Sequence, residues 1–130
     1  MVSSFLCPHC TSTLNPEHAI ILRASSGKQT LMVGLHPEAG NYSVFLPPGA
    51  TVEQGSIWDF SCPVCHHDLK SEKEPNLCAL NVRGHSLTRK VFFSRIAGEH
   101  ATFVVNEGGD VQRHGVEADR YARSLIKGLY

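Results

Sequence analysis

Four of the five cysteines in this 130-residue chain form two closely spaced pairs, each with a proline after its first cysteine. The sequence is Cys-Pro-His-Cys at positions 7–10 and Cys-Pro-Val-Cys at positions 62–65. One such turn presents two sulfurs, and two turns together supply the four soft ligands of a tetrahedral metal ion. The proline fixes φ and makes each turn more rigid. The spacing therefore predicts a site for one metal ion, with the ligands Cys7, Cys10, Cys62 and Cys65.

Zinc is the metal that this ligand set favours, with one Zn²⁺ per chain. All four coordination positions would be filled by protein sulfur, so none would be open to water or substrate. This is typical of a structural site, and loss of the metal is expected to loosen the fold around it. Four thiolates also accept iron, as in rubredoxin-like electron carriers, which is the alternative for the same residues.

We call the two Cys-Pro-x-Cys turns, residues 7–10 and 62–65, the first and second knuckle. The knuckles and the residues that lead into them resemble the zinc-ribbon group of four-cysteine domains. In that group each cysteine pair sits on a knuckle at the tip of a hairpin, and the domains serve both protein and nucleic-acid partners. The resemblance covers a small part of the chain. Two features depart from it: Thr11 and His66 stand where glycine is often found, and residues 11–61 form a longer insert than many ribbons carry.

Three other chemistries use similar motifs. Cys-Pro-His-Cys occurs in thiol oxidoreductases of the thioredoxin type, but that chemistry needs a helix after the motif, and residues 11–16 are poor helix formers. Cys-x-x-Cys-His at positions 62–66 matches a haem attachment motif, which would leave the other pair unexplained. Finally, oxidation of metal-bound thiolates could eject the ion, as in a redox sensor.

The hydrophobic pattern predicts a mainly β protein in which antiparallel hairpins elaborate a zinc-ribbon lobe. Phe5-Leu6 and Asp59-Phe60 are strand-like and lead directly into the knuckles. Apolar residues at helical spacing predict a short C-terminal helix over residues 116–129. No internal repeat is evident. The predicted strands cover residues 19–23, 29–35, 41–46, 56–60, 77–83, 87–94 and 101–106.

The length suits one domain, residues 1–130. Within it we expect a zinc-ribbon lobe over about residues 1–70. A second lobe, made of β-hairpins and the C-terminal helix, is expected over about residues 76–130. An acid-rich loop at residues 68–75 lies between them.

The formal net charge is zero, which argues against strong non-specific binding to nucleic acid. Residues 83–95 carry a mild basic patch without an acidic residue, and Phe92 and Phe93 lie within it. A solvated strand face is the simpler interpretation, although nucleic-acid binding stays an alternative. No apolar run approaches the roughly 18 residues of a membrane span, and no secretory signal is recognised, so we expect a cytoplasmic location. The basic residues are Arg83, Arg89, Lys90 and Arg95.

The remaining reactive side chains have simpler interpretations. Cys78 shares a strand face with apolar residues and is expected in the core. His66 and His67 follow the second knuckle and are expected in a solvated loop. No nucleophile or carboxylate is placed to make a catalytic set with His85 or His100, so we expect no enzyme. The sequence therefore predicts a protein-interaction or adaptor module, with a protein partner favoured over nucleic acid.

Overall fold

A computed structural model of the chain describes residues 4–16, 19–27, 29–37, 44–71, 76–84, 88–97, 101–106 and 111–116. Nine β-strands occur in this part of the chain. In order they are β1 (Ser4–Leu6), β2 (Ile20–Ser26), β3 (Gln29–Leu35), β4 (Val44–Phe45), β5 (Asp59–Ser61), β6 (Leu77–Arg83), β7 (Thr88–Ser94), β8 (Thr102–Val105) and β9 (Val111–His114).

The strands form two antiparallel sheets. The four-stranded sheet has the order β4-β3-β2-β5, and the five-stranded sheet has the order β1-β6-β7-β8-β9. The strands that enter the knuckles, β1 and β5, therefore lie in different sheets. Strand β1 pairs with β6, far along the chain, whereas β5 pairs back with β2.

The main core contains residues from both sheets and from both knuckles. Side chains alternate between the two faces of a strand, so every second residue of β2 and of β6 points into this core. Leu22 and Leu80 are nearly inaccessible to solvent, and Leu14 and Leu69, which follow the knuckles, are buried with them. Because the knuckles share this core with the sheets, their positions are tied to the packing of the whole described fold.

The opposite faces of the two sheets differ. On the five-stranded sheet this face buries a second apolar cluster that includes Phe92 and Phe103. On the four-stranded sheet the corresponding face carries Met32 and Phe45, which are 45% and 50% exposed. A Cβ atom added at Gly34 would lie 3.2 Å from Cβ of Phe45, so this glycine allows the aromatic side chain to pack closely on the strand.

The predicted fold class is wrong because it included a helix. None of the residues that the structure describes lies in a helix. Val116, where the helix was predicted to begin, lies in a turn and is 84% exposed. Residues 117–130 lie outside the described residues. The spacing of apolar residues in a short segment is too weak a signal to establish a helix without the tertiary contacts that stabilise one.

The predicted strands agree more closely with the structure. Strands β3 and β6 begin and end where the hydrophobic pattern places them. The strand predicted at residues 56–60 begins later, at Asp59, because Ile57 makes only an isolated bridge to Ile96. Strand β9 was not predicted, since its Val-Gln-Arg-His sequence has little alternation. No helix in the described parts of the chain is long and apolar enough to cross a membrane.

Candidate metal centre

The four paired cysteines converge on one point. Their Sγ atoms all lie within 4.8 Å of one another, and the distances from Cys7 to Cys65 and from Cys10 to Cys62 are both 3.7 Å. Four sulfurs at about 2.3 Å from a central ion would be about 3.8 Å apart in a regular tetrahedron, whereas a disulfide requires about 2.05 Å. None of the four cysteines forms a disulfide. Their arrangement could hold a metal ion, as in a zinc-ribbon-like site.

The first knuckle is a tight turn closed by backbone hydrogen bonds. The N–H of Thr11 donates to the carbonyl of Cys7 at 2.9 Å, and the N–H of Cys7 donates to the carbonyl of Ser12 at 3.1 Å. Thr11 adopts a φ of 63°, the left-handed conformation that glycine usually provides. The chain then runs back along β1, where the N–H of Leu14 donates to the carbonyl of Phe5.

The second knuckle repeats these hydrogen bonds. The N–H of His66 donates to the carbonyl of Cys62 at 2.9 Å, and the N–H of Cys62 donates to the carbonyl of His67 at 3.0 Å. His66 also has a φ of 63°. The N–H of Leu69 donates to the carbonyl of Phe60, as Leu14 does in the first knuckle. The absence of glycine after each pair therefore leaves the glycine-type turn intact, with a non-glycine residue held in its conformation.

Backbone N–H groups point at the first sulfur of each pair. Sγ of Cys7 accepts from the N–H groups of His9 and Cys10 at 3.4 and 3.5 Å. Sγ of Cys62 accepts from Val64 and Cys65 at 3.3 and 3.4 Å. Such donors favour the thiolate over the thiol and offset part of the negative charge that four sulfurs would bring to one ion. Of the four converging cysteines, these two are the completely buried ones.

The thiol pKa values differ between a buried and an accessible cysteine of the first knuckle. Burial raises the pKa of Cys7 to about 12 despite its two N–H donors. The hydroxyl of Ser12, 3.3 Å from Sγ of Cys10, lowers the pKa of Cys10 to about 6. A cation placed among the sulfurs would compensate the buried charge that burial alone disfavours at Cys7.

Histidine side chains lie beside the centre. The imidazole rings of His9 and His67 are stacked across the two knuckles, with centroids 3.8 Å apart and planes 21° apart. Both residues and His66 are exposed, as predicted for His66 and His67. The stacking was not predicted, because it depends on how the two knuckles face each other. The positions of His18, His85 and His100 lie outside the described residues.

The fifth cysteine and the tryptophan are in the core. Cys78 has no exposed surface and packs with Leu80 and Val82, which confirms its predicted role. Burial raises the pKa of Cys78 to about 12. Trp58 is buried in the same core, where its Nε1–H donates to Oγ of Ser56 at 2.8 Å.

The structure divides the predicted basic patch, since Arg83 and Lys90 share one face of the five-stranded sheet but Arg89 lies on the other. Arg89 and Lys90 are successive residues of β7 and so point to opposite faces of the sheet. Arg95 is mostly buried, and its guanidinium binds the carboxylate of Asp59 at 2.8 Å. Phe92 is buried on one face of the sheet, and Phe93 packs on the other. These aromatic rings are therefore not presented to an external base.

Comparison of this chain with protein-family models, with curated proteins and with solved structures finds no match. The cysteine centre and the surfaces of the two sheets are therefore the features that indicate a function.

Proposed function

We propose that this is a zinc-binding protein in which one structural Zn²⁺ is held by Cys7, Cys10, Cys62 and Cys65. The observation that carries this proposal is the convergence of four sulfurs at distances that match the edge of a metal–thiolate tetrahedron. The ion is structural because protein thiolates complete its coordination, which leaves no position for a substrate. Zinc is favoured over iron because closed four-cysteine sites of this kind are predominantly zinc sites.

Elemental analysis of the protein purified without added metal tests the site. We expect one zinc per chain, and we expect Cys62→Ser to lose the zinc and to melt at a lower temperature. Cys78→Ala is the matched control, because this cysteine is equally buried but is not among the converging sulfurs. One iron per chain would indicate an electron carrier instead of a structural zinc site. Metal-free protein with normal stability would refute the metal site.

We further propose that the zinc-stabilised fold acts as a protein-interaction or adaptor module. Met32 and Phe45 support this role, because they expose apolar surface on the same face of neighbouring strands, β3 and β4. Large exposed apolar groups grouped on one face are typical of sites for protein partners. The neutral net charge and the dispersed basic residues favour a protein over nucleic acid.

Proximity labelling followed by direct binding tests the interaction role. A partner identified with the native chain is expected to bind the purified protein, and Phe45→Ser is expected to weaken that binding while the metal content stays unchanged. Val64→Ser is the control, because this side chain is also exposed but lies on the knuckle. If single-stranded or duplex oligonucleotides bind at micromolar protein and moderate salt, the nucleic-acid alternative is correct instead.

The lowered pKa of Cys10 supports a second candidate function, a thiolate redox sensor. A thiolate reacts with peroxide to give a sulfenic acid, which condenses with a neighbouring thiol to a disulfide and water. Cys10 is more accessible than Cys7, and its Sγ lies 3.7 Å from Sγ of Cys62. Cys62 could therefore form the disulfide with a sulfenic acid at Cys10. Zinc release at low peroxide doses that a dithiol reverses would support this function, whereas retention of zinc under strong oxidant would remove it.

A further inference from the structure

The two sheets contain the same arrangement of four strands. Read from one edge, the four-stranded sheet has the order β5-β2-β3-β4, and the five-stranded sheet begins β1-β6-β7-β8. Each therefore has a strand that enters a knuckle, the two strands of a hairpin, and the next strand along the chain. In both sheets the knuckle strand comes from the other half of the chain.

The hairpins pair in the same register. Leu22 pairs with Val33, and Leu80 pairs with Val91, each residue of the second pair lying 58 positions after its counterpart. All four are buried in the main core. A shift of the strand register by one residue would turn these side chains to the opposite face of the sheet. Because the two hairpins have the same register, equivalent positions of both hairpins lie in the core.

The same offset of 58 extends through the next strand. Leu35 pairs with Val44 in the four-stranded sheet, and Phe93 pairs with Thr102 in the five-stranded sheet. The offset is constant from the start of β2 to the end of β4, so the chain lengths between these strands are equal in the two halves. Strand β9 has no described counterpart in the four-stranded sheet.

The knuckle strands are exchanged reciprocally between the halves. Phe5 of β1 pairs with Val82, and Phe60 of β5 pairs with Ala24, which is the counterpart of Val82. Phe5 and Phe60 are equivalent, since each stands two positions before the first cysteine of its knuckle. The knuckles, like the hairpins, therefore occupy corresponding places, but with an offset of 55.

Two of the distances between sulfur atoms are related by the same exchange. Replacing each cysteine by its equivalent turns the pair Cys7 and Cys65 into the pair Cys62 and Cys10, and both distances are 3.7 Å. Identical residues at equivalent positions are few, which is why no repeat is evident in the sequence. They are Phe5/Phe60, Cys7/Cys62, Pro8/Pro63, Cys10/Cys65, Leu14/Leu69, Leu22/Leu80, Thr30/Thr88, Val33/Val91, Ala39/Ala97, Gly40/Gly98 and Phe45/Phe103.

We propose that residues 4–45 and 59–103 are two copies of one structural unit, related by a pseudo-two-fold axis that passes through the metal centre. Each copy supplies two cysteines and gives its knuckle strand to the sheet of the other. The partner that one unit recognises is thus a second copy of the same unit, fused within one chain. The duplication stands on the strand registers, whereas the sharing of an ion between the copies rests on the proposed zinc site.

The differences between the two knuckles provide a direct test. His9 is equivalent to Val64, and Ser12 is equivalent to His67. In the native protein His9 stacks on His67 on one side of the centre. If the axis is present, positions 64 and 12 face each other on the other side in the same way, although they carry valine and serine.

The test is a fourfold exchange variant: His9→Val, Ser12→His, Val64→His and His67→Ser. We expect the two introduced imidazoles to stack, seen as nuclear Overhauser contacts between their ring protons, as between His9 and His67 in the native chain. The Ser12 contact with Cys10 should likewise move to Cys65. The control variant, His9→Val with Val64→His, moves one ring alone and should show no imidazole contact.

A folded exchange variant without contact between the introduced rings would overturn the duplication. A second variant, His9→Val with Ser12→His, gives both knuckles the same residues at these positions. With Co²⁺ it should keep the absorption spectrum of the native tetrathiolate centre. These positions lie at exposed or half-exposed knuckle tips, so failure of both variants to fold would also contradict equivalence. A native chain without metal would refute the zinc site, yet ring contacts in the fourfold variant would still establish the two-fold relation.

Discussion

At the residue scale, the hydroxyl of Ser12 distinguishes one of the four converging cysteines from the others. It lies 3.3 Å from Sγ of Cys10 and lowers the pKa of that thiol, so it stabilises the form that binds metal. The equivalent position in the second knuckle is His67, whose ring stacks on His9. The two accessible cysteines are therefore not equivalent in their electrostatic surroundings.

We predict that Ser12→Ala weakens zinc binding by about 10-fold or more, because groups that hydrogen-bond a metal ligand typically contribute about 10- to 100-fold in affinity. Competition with a chromophoric chelator measures the change. Ser61→Ala is the control, since this serine also lies beside a cysteine but its hydroxyl is directed to the carbonyl of Arg23. Equal affinities for Ser12→Ala and the native protein would show that the hydroxyl has no part in binding.

We also predict how zinc affinity depends on pH. Metal binding must displace a proton from Cys7, whose pKa is raised to about 12 by burial, so affinity rises with pH across the neutral range. Cys10, with a pKa lowered to about 6, is already a thiolate at neutral pH. Below pH 6 it is protonated, and zinc must then displace one more proton. The slope of the logarithm of the binding constant against pH should therefore steepen by about one below pH 6.

Calorimetric titrations in buffers of different ionisation enthalpy count the released protons. The Ser12→Ala variant should move the steepening to higher pH, because it removes the group that lowers the pKa of Cys10. A slope that stays constant from pH 5 to pH 8 would contradict the assignment of an ionised Cys10 at neutral pH.

At the element scale, each knuckle ends in a residue with a strained backbone. Thr11 and His66 both have a φ of 63°, and they are the non-glycine residues with positive φ among the described positions. The left-handed conformation costs a residue with a Cβ atom about 1–2 kcal/mol relative to glycine. The turn tolerates this cost because the hydrogen bond from this residue to the first cysteine closes the knuckle.

His66→Gly is therefore expected to raise the free energy of unfolding of the metal-loaded protein by about 1 kcal/mol. His66 is the better test position, because its side chain is exposed, whereas the hydroxyl of Thr11 bonds to the carbonyl of Cys10. Urea unfolding measures the difference. Val64→Gly, in the same turn but without a positive φ, should instead lower the free energy by about 0.5–1 kcal/mol. If both substitutions change the free energy of unfolding in the same direction, backbone strain at position 66 is negligible.

At the scale of the whole molecule, reciprocal strand exchange links the candidate metal centre to both sheets. Strand β1 is an edge of the five-stranded sheet and β5 is an edge of the four-stranded sheet, and each leads directly into a knuckle. Each has three residues, at the short end of the usual range for strands. The two halves have also diverged, since Phe103 is buried while its counterpart Phe45 is half exposed.

We predict that a chelator loosens the edges of both sheets before their centres. Hydrogen exchange should accelerate at the N–H groups of Leu14 and Leu69, which donate to β1 and β5. Amides within the β2–β3 hairpin should keep more of their protection and act as internal controls, because seven residue pairs form that ladder. Faster hydrogen exchange at one knuckle alone, or an equal loss of protection at every amide, would contradict a metal centre that stabilises the edges of both sheets.

The sequence by itself determined which four cysteines form the candidate metal site, the β character of the chain and several strand limits. Those features depend on local information: the Cys-x-x-Cys spacing needs one turn, and the alternation of apolar residues in β3 and β6 needs one strand. It did not reveal the sheet to which each knuckle strand belongs, the His9–His67 stack or the correspondence between the halves. These depend on contacts between residues far apart in the chain, which only the tertiary structure establishes. The helix predicted over residues 116–129 is not supported by the described residues, and helical spacing in a short segment is a weak signal without tertiary packing.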